Sequence, residues 1–335
     1  MKRVFLQKQD KLNFKFYQNV DDFIVTEQPI KFTGKGNFII LKIKKVNMGT
    51  WDLIEKVANG LCIYDNEIGY AGLKDKNATT TQYISIPRKY AKDLKKFKHH
   101  KIDIQETYLH STKLNIGDLA GNAFEINLHE VEEQDLFEIQ KRIKQITKIG
   151  LPNYFGYQRF GRDVKENLEK AKNVIYGELK MKDRKLEKML ISAYQSDFFN
   201  RWLAKRIELS DEKSSSYKLL AGDVMMNLAD SKLFTPKTIS DKIQNDFNDH
   251  NTTFTGLLSG RNVYKAFGEA REVEEKFDDT YIQEKGLRRA AIIFPKEVSV
   301  KYDKKEKKCK LKFILPKASY ATVFVENIAN TSYFS

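Results

Sequence analysis

Cysteine is scarce. Cys62 and Cys309 are the only two in 335 residues, far apart and in no C-x-x-C pair. That excludes a disulfide scaffold and a thiolate metal centre, and it fits a reducing, cytoplasmic setting. Long apolar runs are also missing. FIILKI (38–43) and AAIIF (290–294) fall far short of the roughly 20 residues that a membrane span needs, so membrane embedding is not expected. The start, MKRVFLQKQDKLNF, is basic without an apolar stretch of signal-peptide type, and no such leader is expected. The five histidines, His99, His100, His110, His129 and His250, form no H-E-x-x-H and no spaced Cys/His set, so no metal site is expected. TGKGNF (33–38) is not a phosphate-binding G-x-x-x-x-G-K-[ST] loop, and no G-x-G-x-x-G follows a strand. A Rossmann-type cofactor is therefore unsupported. Repeats and low-complexity segments are lacking too.

Positive charge is abundant. Lys and Arg outnumber Asp and Glu by 59 to 45, a formal charge of +14. Such an excess favours a polyanionic partner, either nucleic acid or an anionic membrane surface. Simple solubility charge is the competing explanation. With 41% hydrophobic residues, the chain can bury one large core or two ordinary ones, and two domains are expected.

Strand-like runs come first: DFIVTE (22–27), NFIILKIKK (37–45), QYISIP (82–87) and AFEINLH (123–129). In the last, Phe124, Ile126 and Leu128 share one face and Glu125, Asn127 and His129 the other. TWDLIEKVANG (50–60) reads as a helix with Thr50 as N-cap, Trp51, Ile54, Val57 and Ala58 as its apolar stripe, and Gly60 as its stop. A second helix is expected over 132–148, with Leu136, Ile139, Ile143 and Ile146 on one stripe. From Gly150-Leu151-Pro152 to about 293 the chain reads as mostly helical, with loops at SSS (214–216) and NDHNTT (248–253). EVSVKYD (297–303) and CKLKFIL (309–315) then flank a charged tip as a hairpin, and SYATVFVENIAN (319–330) forms a last helix. The order strand-rich, helix-rich, strand-rich suggests an α+β domain interrupted by an insertion.

Three stretches could carry chemistry. NYFGYQRFGRD (153–163) alternates aromatics with glycine, Arg159 and Arg162. It suits stacking on unpaired bases and clamping phosphates, and equally a packed domain junction. PRKYAKDLKKFKHHK (87–101) offers phosphate contacts or a solvated face. AGLKDKNATTTQ (71–82) sets Asp75 between Lys74 and Lys76. Nearby cations favour an ionised carboxylate, which can act as a nucleophile at a sugar carbon. An ordinary Lys-Asp-Lys turn is the plainer reading.

AGLKDKNATTTQ closely resembles the signature of the TruD family of tRNA pseudouridine synthases, approximately G-x-K-D-K/R-x-A-x-T-x-Q. Gly72, Lys74, Asp75, Lys76, Ala78, Thr80 and Gln82 match it. DFIVTE, KLNIGDLAGNAFEI (113–126), PNYFGYQRFG (152–161), SAYQSDFFNRWLAKR (192–206), GDVMM (222–226), TGLLSG (255–260), GEAREVE (268–274) and LKFILPKASYATVFVENI (311–328) resemble further family segments in order. The resemblance implies a fold: an α+β pseudouridine synthase catalytic domain with a mixed, largely antiparallel sheet. Residues 1–149 and 294–335 would form it, interrupted at 150–293 by an inserted, mostly helical α/β TRUD domain. It also implies an RNA-modifying isomerase that converts a uridine of tRNA, at position 13 in the family, to pseudouridine. No metal or organic cofactor is implied, nor a membrane or an obligate protein partner.

By matched position Asp75 is the catalytic acid, either attacking C1′ or supporting loss of the C2′ proton through a glycal. Phe23, Asn122 and Tyr320 are the substrate contacts implied, with Phe124 the ring packed at the site. Tyr320 stands where the family usually has Phe, which keeps a stacking ring and adds a hydroxyl. Lys74, Lys76 and Arg159 are candidates to support Asp75 or meet RNA. A tRNA-binding or tRNA-folding protein of the same fold without catalysis is the alternative. An unrelated methyltransferase would need a Gly-rich cofactor loop, which is not found.

Overall fold

The computed structural model describes residues 3–5, 9–210 and 216–332. Ser214 and Ser215 of the expected SSS loop lie outside these. In chain order the strands are β1 (Lys15–Phe16), β2 (Phe23–Pro29), β3 (Phe38–Val46), β4 (Gly69–Tyr70), β5 (Thr79–Pro87), β6 (Ile102–His110), β7 (Leu119–His129), β8 (Leu151–Pro152), β9 (Met225–Asn227), β10 (Leu233–Phe234), β11 (Thr252–Leu258), β12 (Leu287–Ala290), β13 (Ile292–Ile293), β14 (Lys296–Asp303) and β15 (Lys308–Pro316). The α-helices are α1 (Thr50–Leu61), α2 (Ala91–Leu94), α3 (Glu133–Ile149), α4 (Val164–Ile175), α5 (Arg184–Glu208), α6 (Asp241–Asn248), α7 (Gly268–Glu274) and α8 (Ala321–Ala329).

The chain groups into two compact units. The sheet unit comprises Asn13–Gln140 and Pro295–Ala318. The helical unit comprises the described residues within 1–12, 141–294 and 319–335. By packing, the first segment and the last helix thus group with the middle of the chain.

The sheet unit is built on one mixed sheet in the order β14-β15-β7-β2-β5-β3-β6, with β1 beside β7 and β4 beside β5. β2 and β5 run parallel, and the other pairs are antiparallel. Strand alternation decides which side chains share a face. Phe23, Val25 and Glu27 of β2 pair with Ile126, Phe124 and Asn122 of β7. Val25 also pairs with Thr80 of β5, and Thr80 with Lys45 of β3. On this face α1 lays Leu53, Ile54, Val57, Ala58 and Leu61 against Ile39, Leu41 and Ile43 of β3 and Ile84 and Ile86 of β5. Each of these buried leucine, isoleucine and valine side chains contributes about 1.5–3 kcal/mol, so α1 is firmly fixed to the sheet.

Two details of α1 differ from the sequence expectation. Gly49 is the N-cap, and Thr50 is the first helical residue, its hydroxyl turned to other partners. The helix passes Gly60 and stops at Cys62 in the left-handed conformation, φ 52°. Trp51 leaves the apolar stripe and is 61% exposed, because Leu53, Ile54 and Val57 already fill the sheet-facing side.

In the helical unit α5 is central, started by Asp183, whose carboxylate accepts from the Lys185 and Leu186 amides. Its Phe199 and Trp202 are buried, and Arg206, also buried, pairs with Asp223 at 2.6 Å. The unit also carries a sheet, β10-β9-β11-β12, and the short pair β8-β13. Thr252 and Thr253, expected in a loop, instead open β11 and are buried.

Candidate active site

Asp75 lies in the loop between β4 and β5. The loop is tied at both ends and in the middle. The Gly117 amide donates to Ala71 O at 2.8 Å, and the Asn47 amide to Ala78 O at 3.2 Å. The Lys74 amide donates to Thr50 Oγ1 at 2.8 Å. That hydroxyl itself donates to Gln82 Oε1 at 3.1 Å, linking α1 and β5 to the residue before Asp75.

The Lys74 side chain is turned inward. Its Nζ lies 2.6 Å from Glu27 Oε2, and both side chains are buried. Glu27 also accepts from the Tyr83 amide at 3.3 Å. Burial pushes the Glu27 carboxyl up, and Lys74 and the Tyr83 amide pull it down. Lys74 is therefore engaged with Glu27 rather than displayed to an RNA backbone. Lys76 is exposed, and among the described residues no carboxylate pairs with it.

A second lysine at this site escaped sequence reasoning. Lys45 is completely buried, and its Nζ donates to Met48 O. Its pKa is pushed down to about 8, first by burial and then by the Lys74 charge, while Asp75 and Asp52 act to raise it. For Asp75 burial raises the carboxyl above its usual value, and Lys45 and Lys74 lower it. The residue nevertheless stays exposed to solvent, which screens the burial effect. Asp75 is thus an exposed carboxylate raised by its partial burial, with Lys45 and Lys74 acting to favour its ionised form. Period-two alternation was the available signal: Lys45 follows Ile39, Leu41 and Ile43 on the buried face of β3, and Glu27 follows Phe23 and Val25 on that of β2.

The same sheet face carries the other matched residues of this unit. Phe23 and Phe124 are buried, with ring centroids 6.1 Å apart, and Phe124 stacks on Phe313 at 5.4 Å. Asn122, opposite Glu27, has a buried Oδ1 without a hydrogen-bond partner among the described residues. Thr80 Oγ1 and Gln82 Nε2 are in the same condition. Unpartnered buried polar atoms are uncommon in folded proteins and call for an explanation. Here Asn122 stands opposite Glu27, the partner of Lys74, and Gln82 holds Thr50, so two of the three belong to residues tied to the Asp75 loop.

Tyr320 and Arg159 belong to the helical unit. Tyr320 is the N-cap of α8, and its ring centroid lies 6.0 Å from that of Phe155. A side chain at Gly156 would come within 2.6 Å of the Tyr320 ring, so glycine is required for this approach. Arg159 donates to Ser196 Oγ at 3.2 Å and to Ser192 Oγ, and it lies over the Phe155 ring. Arg289 covers the same ring at 3.8 Å and holds Asn153 O at 2.9 Å. Arg159 is thus packed within its own unit, whereas Arg162 of the same segment is exposed.

Among the described residues no group of three His, Cys, Asp or Glu side chains is placed to hold a metal ion, and no helix is long and apolar enough to cross a membrane.

A crystal structure from Methanosarcina mazei that carries the TruD family name matches this fold with a TM-score of 0.73, covering 98% of this chain and 96% of that one at 21% identity. The two chains therefore share one fold. Sequence comparison is more specific. The family model for tRNA pseudouridine synthase D (TruD) matches residues 2–182 and 162–328. Proteins named tRNA pseudouridine synthase D are 38% identical in a Nitratiruptor species, over 98% of both chains, and 37% identical in Sulfurimonas denitrificans, over 98% of this chain and 99% of that one. The chain belongs to the TruD family.

Proposed function

We propose that this chain is a tRNA pseudouridine synthase, an isomerase that acts in the cytoplasm on a uridine of tRNA, at position 13 as in the family. The observation that carries the reading is Asp75: a solvent-reachable carboxylate with Lys45 and Lys74 held beneath it, on a loop fastened by Thr50 and Glu27.

Uridine must leave its stack to reach such an acid. The ionised carboxylate then acts at the ribose while the N1–C1′ bond breaks, by attack at C1′ or through a glycal. The freed uracil turns, C5 bonds to C1′, the C5 proton is lost and N1 is protonated, so the product is an isomer. Asn122 offers an amide that can both donate to and accept from the uracil edge. Phe23 and Phe124 form the apolar wall beneath it, and the family match adds Tyr320 as a substrate contact. Residues 1–149 and 294–335 are assigned the chemistry, with 150–293 an RNA-binding insertion.

The test is carbodiimide-based pseudouridine mapping on the host's tRNA with the gene deleted, then restored as wild type or as Asp75→Asn. Loss of one pseudouridine, recovered only by the wild type, is expected. Recovery by Asp75→Asn would overturn the catalytic assignment and leave the reading of a tRNA-binding protein.

A further inference from the structure

Trp51 has no part in the chemistry above. It sits in the first turn of α1 and is 61% exposed. Its indole meets the Tyr70 ring edge-on, with centroids 5.5 Å apart and planes at 75°. Tyr70 is half-buried and packs on the α1–sheet core. The indole is thus braced from behind and open to solvent in front, where its apolar surface contributes nothing to the fold.

Its place in the chain ties it to Asp75. Thr50, the preceding residue, accepts the Lys74 amide at 2.8 Å, and Asp75 follows Lys74. Two neighbours of Asp75 in the loop are also unusual. Leu73 is 59% exposed, and Lys76 is exposed without a carboxylate partner among the described residues. A rigid aromatic face, an apolar side chain and a free ammonium match an unpaired base and its phosphate. The excess of 14 positive charges favours that occupant over an apolar protein segment.

We propose that Trp51, braced by Tyr70, is a stacking platform for an unpaired base of the RNA next to the uridine on which Asp75 acts. The proposal rests on the reading of Asp75 given above. It assigns Trp51 to RNA binding, not to the reaction.

The chain contains two tryptophans, and Trp202 is buried, so the solvent-accessible indole emission reports Trp51. Unmodified tRNA transcript, added to the full-length protein, should quench that emission and protect it from iodide, and Trp51→Phe should abolish the iodide-accessible signal while still binding. Trp51→Ala should raise the KM for tRNA by roughly 5- to 150-fold, the range for losing one stacked base, with kcat changed little. Trp51→Phe should recover most of that loss. Binding of tRNA that leaves the indole emission and its iodide access unchanged would overturn the proposal, and so would an unaltered KM in Trp51→Ala. Failure of Asp75→Asn to abolish activity would instead strike the functional reading, since quenching needs no chemistry.

Discussion

At the scale of single residues, the site turns on two groups whose charges oppose their surroundings. Asp75 is raised by burial and lowered by Lys45 and Lys74, while Lys45 is lowered to about 8 by burial and by Lys74. If the reaction needs the Asp75 carboxylate and the Lys45 ammonium together, kcat/KM is bell-shaped. Its acid limb should lie above the ordinary aspartate range and its alkaline limb near pH 8. Lys45→Met should lower the rate and remove the alkaline limb, as pH-rate profiles on tRNA transcript would register. An alkaline limb unchanged in Lys45→Met would assign it to another group. Stability should move the other way. The folded state lowers the Lys45 pKa from 10.5 to about 8, so between those values the unfolded chain binds more protons and wild-type stability rises with pH. Lys45→Met escapes that penalty. It should unfold at higher urea than wild type at pH 7, with the difference shrinking as pH climbs past 8.

At the scale of elements, the Asp75 loop is held by a strand, a helix and an ion pair. Removing one partner of a buried pair leaves an uncompensated charge, at a cost of about 3–5 kcal/mol. Glu27→Gln should therefore lower stability by about that much in urea titrations and speed amide exchange over residues 71–78. It should also reduce kcat more than it raises the KM for tRNA, since the loop positions Asp75 and not the bound RNA. Glu27→Gln combined with Lys74→Met should regain much of the stability without regaining the rate. A double variant with wild-type kcat would show that the pair serves folding alone.

These elements also show what could be read from the sequence. Alternation in DFIVTE, NFIILKIKK and AFEINLH located β2, β3 and β7 and their faces, because a half-buried strand must alternate. The same alternation placed Glu27 and Lys45 on the buried face, yet a charged residue at a strand end usually reads as the start of solvent. What made them interior was pairing between strands distant in sequence, and one chain's local pattern does not state which strands will meet. Trp51 misled for the converse reason. Its helical spacing fits the stripe, but the sheet-facing side of α1 was already filled.

At the scale of the whole molecule, the surplus positive charge is unevenly available. Much of the lysine on the β14–β15 hairpin is neutralised locally: Lys304 pairs with Glu133, Lys307 with Glu132, and Lys310 and Lys312 with Glu125. The segment after β5 differs. Lys92, Lys95, Lys96 and Lys98 are all exposed, and among the described residues no carboxylate lies within ion-pair distance of them. Neutralising phosphates releases counterions, so tRNA affinity should fall linearly on a log–log plot against salt. A protein engaging about six phosphates would lose roughly a thousandfold between about 50 and 200 mM salt. If the unpaired lysines meet those phosphates, changing Lys92, Lys95, Lys96 and Lys98 together to glutamine should weaken binding. It should also flatten the slope by about one for each phosphate no longer neutralised. The same exchange at Lys304, Lys307, Lys310 and Lys312 should change the slope less, because three carboxylates, Glu133, Glu132 and the Glu125 shared by Lys310 and Lys312, already offset most of that charge. Filter binding of tRNA transcript over a salt series reads both sets directly. Equal slopes in the two variants would place the phosphate-binding surface elsewhere on the chain.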